Sequence, residues 1–307
     1  MKLFKNNKPC LYFSTEYFLG LCEKGPRSSF DCNKYRKIRD KLLEEKIVRP
    51  SHISEPKPAT RSDFRLVHSK EYIEKLKDPM FLAKILFLDY ANPFDTDIIE
   101  FFKYVTGGTV QTFLTAFEKK TVCFNLGGGY HHAKRDKGEG FCPVNDVAVG
   151  IVKLFKKYGE KRVLIVDLDY HHGNGTATIF ENNENVFTFS IHRDNWDTVN
   201  KKNNMDILLP DGTEDREYLL QLKLYLPDVM DKFNPEFVVY IAGSDIHKDD
   251  SFGTFNISTK GVLERDKFVY NLAKQHELPM GVVAGGGYGE QSWKLYYNFI
   301  KWVIKGD

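Results

Sequence analysis

Several absences narrow what this chain can be. No apolar run approaches the ~20 consecutive residues that a membrane-spanning helix needs, so no bilayer span is expected. The five cysteines among 307 residues are odd in number and irregular in spacing, which is not a disulfide framework and suits a reducing compartment. Charge of one sign is also missing. Lys and Arg number 44 against 42 Asp and Glu, a formal charge of +2, so nothing marks a nucleic-acid footprint. Short basic pairs such as Lys161-Arg162 read as solvated helix ends. The opening residues MKLFKNNKPCLYF lack the apolar core of roughly 7–15 residues that a secretory signal requires. A soluble, cytoplasmic globular protein is the expectation. At about 150 residues per domain the length would give two domains, but there is no linker, repeat or low-complexity block, which favours one domain over 1–307.

What is present is an alternation of apolar, β-rich runs with helical periodicity. Strands are expected at Cys10–Phe13, Val122–Asn125, Val163–Asp167, Val186–Ser190, Asp206–Leu209, Phe237–Ala242 and Met280–Ala284. Helices are expected at Asn33–Lys46, Gly108–Glu118, Val147–Tyr158, Glu214–Lys232, Lys260–Gln275 and Gln291–Lys305. In the fourth of these, Leu219, Leu220, Leu222, Leu224 and Val229 offer a broad apolar stripe. Strands with almost no polar residue are covered on both faces. The pattern implies an α/β fold with a mostly parallel sheet between helical layers.

Polar, glycine-rich segments follow four of the strands: LGGGYHHAKRDKGEGFCPVND, DLDYHHGNG, GSDIHKDD and GGGYGE. In a parallel sheet they emerge at one edge, where open α/β folds bind ligands. Asp169 and His171, two residues apart at the end of a strand, project to the same side; alone, they are also compatible with an ordinary loop. Asp245, just past a buried strand, is either a helix cap or a third ligand. Three protein ligands with an open position are the pattern of a catalytic zinc site. Two carboxylates leave such an ion little net positive charge, so a separate base is needed. His131 and His132, behind three glycines, can supply it, or can simply face solvent. Asp167 is free to orient an imidazole. Tyr288 is either a buried aromatic cap or a phenol donor to a developing oxyanion.

In this order, NLGGGYHHA with GEGFCPVND, DLDYHHGNG, VFTFSIH, AGSDIHKDD and AGGGYGE resemble the histone deacetylase and acetylpolyamine amidohydrolase superfamily. FDCNKYRKIRDKLLEE, RLVHSKEYI, TGGTV, GTEDREYL and STKGVLERD look like the small class IV deacetylases and their bacterial relatives. The resemblance covers nearly the whole chain and implies an arginase-deacetylase fold, one α/β/α domain around an eight-stranded sheet. It implies zinc at Asp169, His171 and Asp245, a catalytic His131-His132 pair and an oxyanion donor at Tyr288. Phe141 and Trp196, with Gly129 and Gly286, would line an acyl-lysine channel. Structural potassium would use Asp167, Ser190 and Ile191 with the backbone of Asp169 and His171. Asp/His ligation accepts ferrous iron as well as zinc. Two departures stand out. Many relatives carry Asp where this chain has Asn174, behind the second histidine, and an amide stabilises an imidazolium less than a carboxylate does. Asp89 and Asp95 lie where relatives grip the substrate backbone, without a motif to anchor either.

The resemblance therefore implies hydrolysis of an acetyl or longer acyl amide on the ε-amine of a protein or peptide lysine. His132 would act as base, His131 held by Asp167 would contribute electrostatics, and Tyr288 would donate to the oxyanion. Small acylated amines such as acetylpolyamines are the alternative substrates, and a catalytically silent acyl-lysine-binding module is the alternative from another class. An arginase-like dimanganese centre would need more bridging carboxylates than a single Asp-x-His followed by HGNG provides.

Overall fold

A computed structural model describes residues 9–19, 31, 33–88, 98–199 and 202–306. Its eight strands are β1 (Cys10–Tyr12), β2 (Ile53–Ser54), β3 (Val122–Asn125), β4 (Val163–Asp167), β5 (Val186–His192), β6 (Asn204–Leu208), β7 (Phe237–Ile241) and β8 (Met280–Val283). All pair in parallel, in the order β2-β1-β3-β8-β7-β4-β5-β6. Every residue of β3, β4, β7 and β8 is buried. Successive side chains go to opposite faces: Leu164 and Val166 join one apolar cluster, Val163 and Ile165 the other. Near-continuous apolar runs are what a sheet covered on both faces requires.

The helices are α1 (Glu16–Leu19), α2 (Asn33–Glu44), α3 (Arg61–Phe64), α4 (Lys70–Lys75), α5 (Pro79–Ile85), α6 (Ile98–Lys119), α7 (Asp146–Tyr158), α8 (Asn174–Phe180), α9 (Asp215–Phe233), α10 (Thr259–Gln275) and α11 (Ser292–Lys305). Apolar residues of α2, α9, α10 and α11 share a cluster with Leu164 and Val238, whereas α7 and the end of α6 share one with Ile165 and Val239. The result is a three-layer α/β/α arrangement. No helix among the described residues is long and apolar enough to cross a membrane.

Three details differ from the sequence-based expectation. The helix expected from Gly108 begins ten residues earlier, as α6, and runs straight through Gly107 and Gly108. A Cβ there would lie 2.0 Å from Lys57 O and 1.9 Å from Tyr17 Oη, so these glycines permit close packing and do not break the helix. On α9 the buried face is Tyr218, Leu222, Leu226, Val229 and Met230, while Leu220 and Leu224 are exposed. Positions two away from that stripe sit roughly on the opposite side of a helix with 3.6 residues per turn. The short α1, α3, α4, α5, α8 and the two-residue β2 carry too little periodicity to be read.

The topology decides where the chemistry can be. Strands β3, β8, β7 and β4 are consecutive neighbours, so the four polar segments leave the sheet side by side at one edge.

Candidate active site

Beyond β4 and β7 the chain brings Asp169, His171 and Asp245 together. His171 Nδ1 lies 2.9 Å from Asp245 Oδ2 and 3.3 Å from Asp169 Oδ1, and one donor atom from each residue falls within 4.8 Å of the others. Backbone amides hold both carboxylates: Gly286 N–H donates to Asp169 Oδ2 (2.6 Å) and Tyr170 N–H to Asp245 Oδ1 (2.9 Å). The buried Arg265 ties the two strand ends by donating from Nη1 to Leu168 O (2.9 Å) and Gly243 O (2.6 Å). Burial and the Asp169 carboxylate push Asp245 up to about 7. Burial works against a charged His171, yet Asp169 and Asp245 outweigh it and raise the imidazole to about 10. One imidazole and two carboxylates, with solvent access, fit a divalent cation bound in an open site.

The loop after β3 is clamped from behind. Asp146, at the start of α7, accepts Gly129 N–H (3.1 Å) and Tyr130 N–H (2.7 Å) and also binds the Thr109 hydroxyl. Asn145 caps α7 with Oδ1 and donates from Nδ2 to Ala133 O (3.0 Å) and His131 O (3.3 Å). His131 Nδ1 is 2.8 Å from Asp167 Oδ2, His132 Nδ1 is 2.9 Å from Asn174 Oδ1, and the two Nε2 atoms face each other at 3.2 Å. Burial disfavours the charged form of His131, but Asp167 and Asp169 reverse this and raise it to about 9. Burial and the neighbouring His131 hold His132 well below its ordinary value, with Asn174 opposing them. The 3.2 Å contact places the charge on His131 directly against His132, which is why it disfavours protonation of the second ring.

Tyr288 stands on the loop after β8. Asp250 Oδ2 accepts Tyr288 N–H (2.7 Å) and Gly289 N–H (3.1 Å), and buried Lys34 donates from Nζ to Gly285 O (3.1 Å) and Gly287 O (3.2 Å). Burial, then Asp245 and Asp169, raise the phenol well above its usual value, so it remains a donor. A cavity of about 400 Å³ above it is lined by Phe87, Phe141, Trp196, Phe252, His132, Gly140, His171 and Tyr288. Trp196 lies flat on His132, with ring centroids 4.1 Å apart and planes 3° from parallel. Phe141 has φ +64, a costly conformation for an aromatic residue, in the turn that brings its ring to the cavity.

Gly129 and Gly286, expected in the channel wall, are not in this cavity. They line an inner chamber of about 20 Å³ with Gly128, His131, Gly285 and Tyr288 among others. Close approach of other groups puts them there: a Cβ on Gly129 would lie 2.7 Å from Gly285 Cα, and one on Gly286 would lie 2.3 Å from the Asp245 carboxylate oxygen Oδ2. Asp167 and Ser190 are register partners across β4 and β5, with Ile191 next along the strand. The Ser190 hydroxyl bonds His192 Nδ1 at 2.7 Å.

The profile of the histone deacetylase domain matches residues 28–300. The chain belongs to the histone deacetylase family. It is 32% identical over 270 residues to an uncharacterized protein of Picosynechococcus, covering 88% of this chain and 89% of that one. It is 30% identical to histone deacetylase 1 of Homo sapiens over 305 residues, covering 92% of this chain and 61% of that protein. The crystal structure of an HDAC homologue from Aquifex aeolicus superposes with a TM-score of 0.80 at 26% identity, covering 98% of this chain and 84% of that one. The fold of this deacetylase-family hydrolase is therefore the arginase-deacetylase type.

Against that family pattern, Asn174 is the amide behind His132, and Asp89 and Asp95 lie outside the described residues. Sequence reasoning missed Lys34, Asp250, Arg265 and the individual roles of Asn145 and Asp146. The last two had a local signal, a polar pair closing CPV and opening an apolar helix. Asp250 had one too, as the last residue of GSDIHKDD, whereas Lys34 and Arg265 reach the site from elsewhere in the chain and leave no pattern near it.

Proposed function

We propose that residues 1–307 act as one metal-dependent deacylase domain that removes an acyl group, acetyl first, from the ε-amine of lysine in a protein or peptide in the cytoplasm. The observation carrying this reading is the convergence of a three-donor set, a paired imidazole and a buried phenol at the foot of one aromatic-walled cavity. Asp169, His171 and Asp245 would hold zinc, with ferrous iron as the alternative that this donor set also accepts. The ion, when bound, supplies Lewis-acid activation of the acyl carbonyl and a template for the nucleophile. Asp167, Ser190 and Ile191, with the backbone of Asp169 and His171, would hold potassium.

His132 Nε2 takes the proton from the attacking water and returns it to the departing amine nitrogen. His131, bonded to Asp167, supplies the positive charge beside it. Tyr288 donates its phenol proton in a hydrogen bond to the tetrahedral oxyanion. Phe141, Phe252 and Trp196 give the methylene stem of a lysine an apolar slot. The inner chamber favours a short acyl group over a long one, because about 20 Å³ is little more than the ~10–15 Å³ needed to admit a single water. A panel of acetyl-, octanoyl- and myristoyl-lysine peptides, with acetylated polyamines beside them, tests the reading. Fastest turnover of the acetyl peptide is expected. Preference for a free acetylated polyamine would transfer the activity to small molecules, and binding without hydrolysis in zinc-loaded protein would leave a recognition module.

A further inference from the structure

His132 and His131 differ in what stands behind their Nδ1 atoms, and the neutral partner is itself held by acids. Asn174 is fully buried. Its Oδ1 is 2.9 Å from His132 Nδ1, while its Nδ2 donates to Glu139 Oε1 at 2.8 Å and to Asp197 Oδ2 at 2.5 Å. Lys134 Nζ bridges the two acids, 3.0 Å from Glu139 and 2.7 Å from Asp197. Burial opposes ionisation of both acids, but bonds to Lys134 and Asn174, and for Glu139 also to Lys137, outweigh it and hold both pKa values below the usual range.

An ionised carboxylate accepts hydrogen bonds and donates none. Two of them on one side of Asn174 therefore dictate that its NH₂ faces them. Its carbonyl must then face His132, so Nδ1 carries the proton and the lone pair is left on Nε2. The neighbours of the two acids act on the same ring. Gly140, at φ +55, passes so close that a Cβ would lie 2.4 Å from His132 Cδ2, and Trp196 stacks on the ring. Glu139-Gly140 and Trp196-Asp197 thus fix the imidazole by its plane and by its tautomer together.

We propose that Glu139 and Asp197 are positioning residues that act through the Asn174 amide to lock His132 as the Nδ1–H tautomer. The kinetic consequences rest on the amidohydrolase reading; the tautomer does not. Glu139→Gln/Asp197→Asn keeps shape and removes the obligatory acceptors, so kcat falls about tenfold with KM within about twofold. Asn174→Asp brings a third carboxylate against the other two and costs about a hundredfold. Combining all three substitutions reverses the polarity, because the new amides at positions 139 and 197 donate to the carboxylate introduced between them. This returns kcat to within about fivefold of the original protein.

The ring nitrogen chemical shifts of His132 are measured alongside, in the metal-free protein. The original protein and the triple variant show a protonated Nδ1, and the double variant shows mixed tautomers. Unchanged shifts and kcat in the double variant, or a triple variant no better than Asn174→Asp, overturn the proposal. Should Asn174→Asp fail to fold, the double variant decides alone. If the original protein hydrolyses no acyl amide, the activity reading fails while the shifts still judge the relay.

Discussion

Asp169, His171 and Asp245 form one three-donor set, and His172, His192 and Asp206 form another of the same compactness. His171 and His172 are adjacent, yet their environments are opposites. His171 Nδ1 faces two carboxylates, which raise it to about 10 against burial. His172 accepts Trp196 N–H at Nδ1 (3.1 Å), and burial with the nearby His192 and His131 lowers it to about 3. His192 is engaged at both nitrogens, by Ser190 Oγ (2.7 Å) and Asn195 Oδ1 (2.8 Å). The rings of His172 and His192 stack at 4.5 Å, 19° from parallel. An ion lies in the plane of each imidazole that binds it, so two stacked rings cannot both aim a lone pair at one metal. The second set supports the loop that carries Trp196. Proximity of donors does not make a metal site; available lone pairs and surplus negative charge do.

Removing a carboxylate from the first set should break the contrast most severely. Asp245→Ala is expected to lose the metal and all turnover, checked by metal analysis of the purified variant; stoichiometric zinc would contradict the ligand assignment. Tyr288→Phe is expected to keep fold and metal while kcat falls about 10²–10³-fold, as for loss of one oxyanion donor. Near-normal turnover would remove Tyr288 from the mechanism.

Proton competition gives a smaller, graded effect. Metal binding needs His171 and Asp245 deprotonated, and their metal-free values are about 10 and about 7. Affinity must therefore rise with pH, by about two decades per unit below pH 7 and about one between 7 and 10. Zinc competition titrations from about pH 6 to 8.5, spanning the Asp245 transition, would show this slope, and a flat profile would refute it. The smallest effect belongs to the second set: Asp206→Asn should leave zinc stoichiometry unchanged, and a lost equivalent of metal would make that set a site.

Much of this was readable from the chain because the signals are local. Apolar runs ending at Asp167 and Ile241 are buried strands, and the residues that follow them, Asp169, His171 and Asp245, meet because the strands are neighbours. The supports were not readable for the converse reason. Lys34 reaches Gly285 across 251 positions, and Arg265 reaches Leu168 across 97. Gly108 passes for a helix start until the Lys57 carbonyl and the Tyr17 hydroxyl packed against Gly107 and Gly108 are known. Gly129 and Gly286 pass for channel residues because sequence order does not distinguish the wall of a cavity from its floor.

The most direct test is turnover of an acetyl-lysine peptide as zinc is added back to metal-free protein. The account predicts a linear rise that ends at about one zinc per chain, with Asp245→Ala flat throughout. Full turnover without metal, or a rise that continues to a second equivalent, would contradict it.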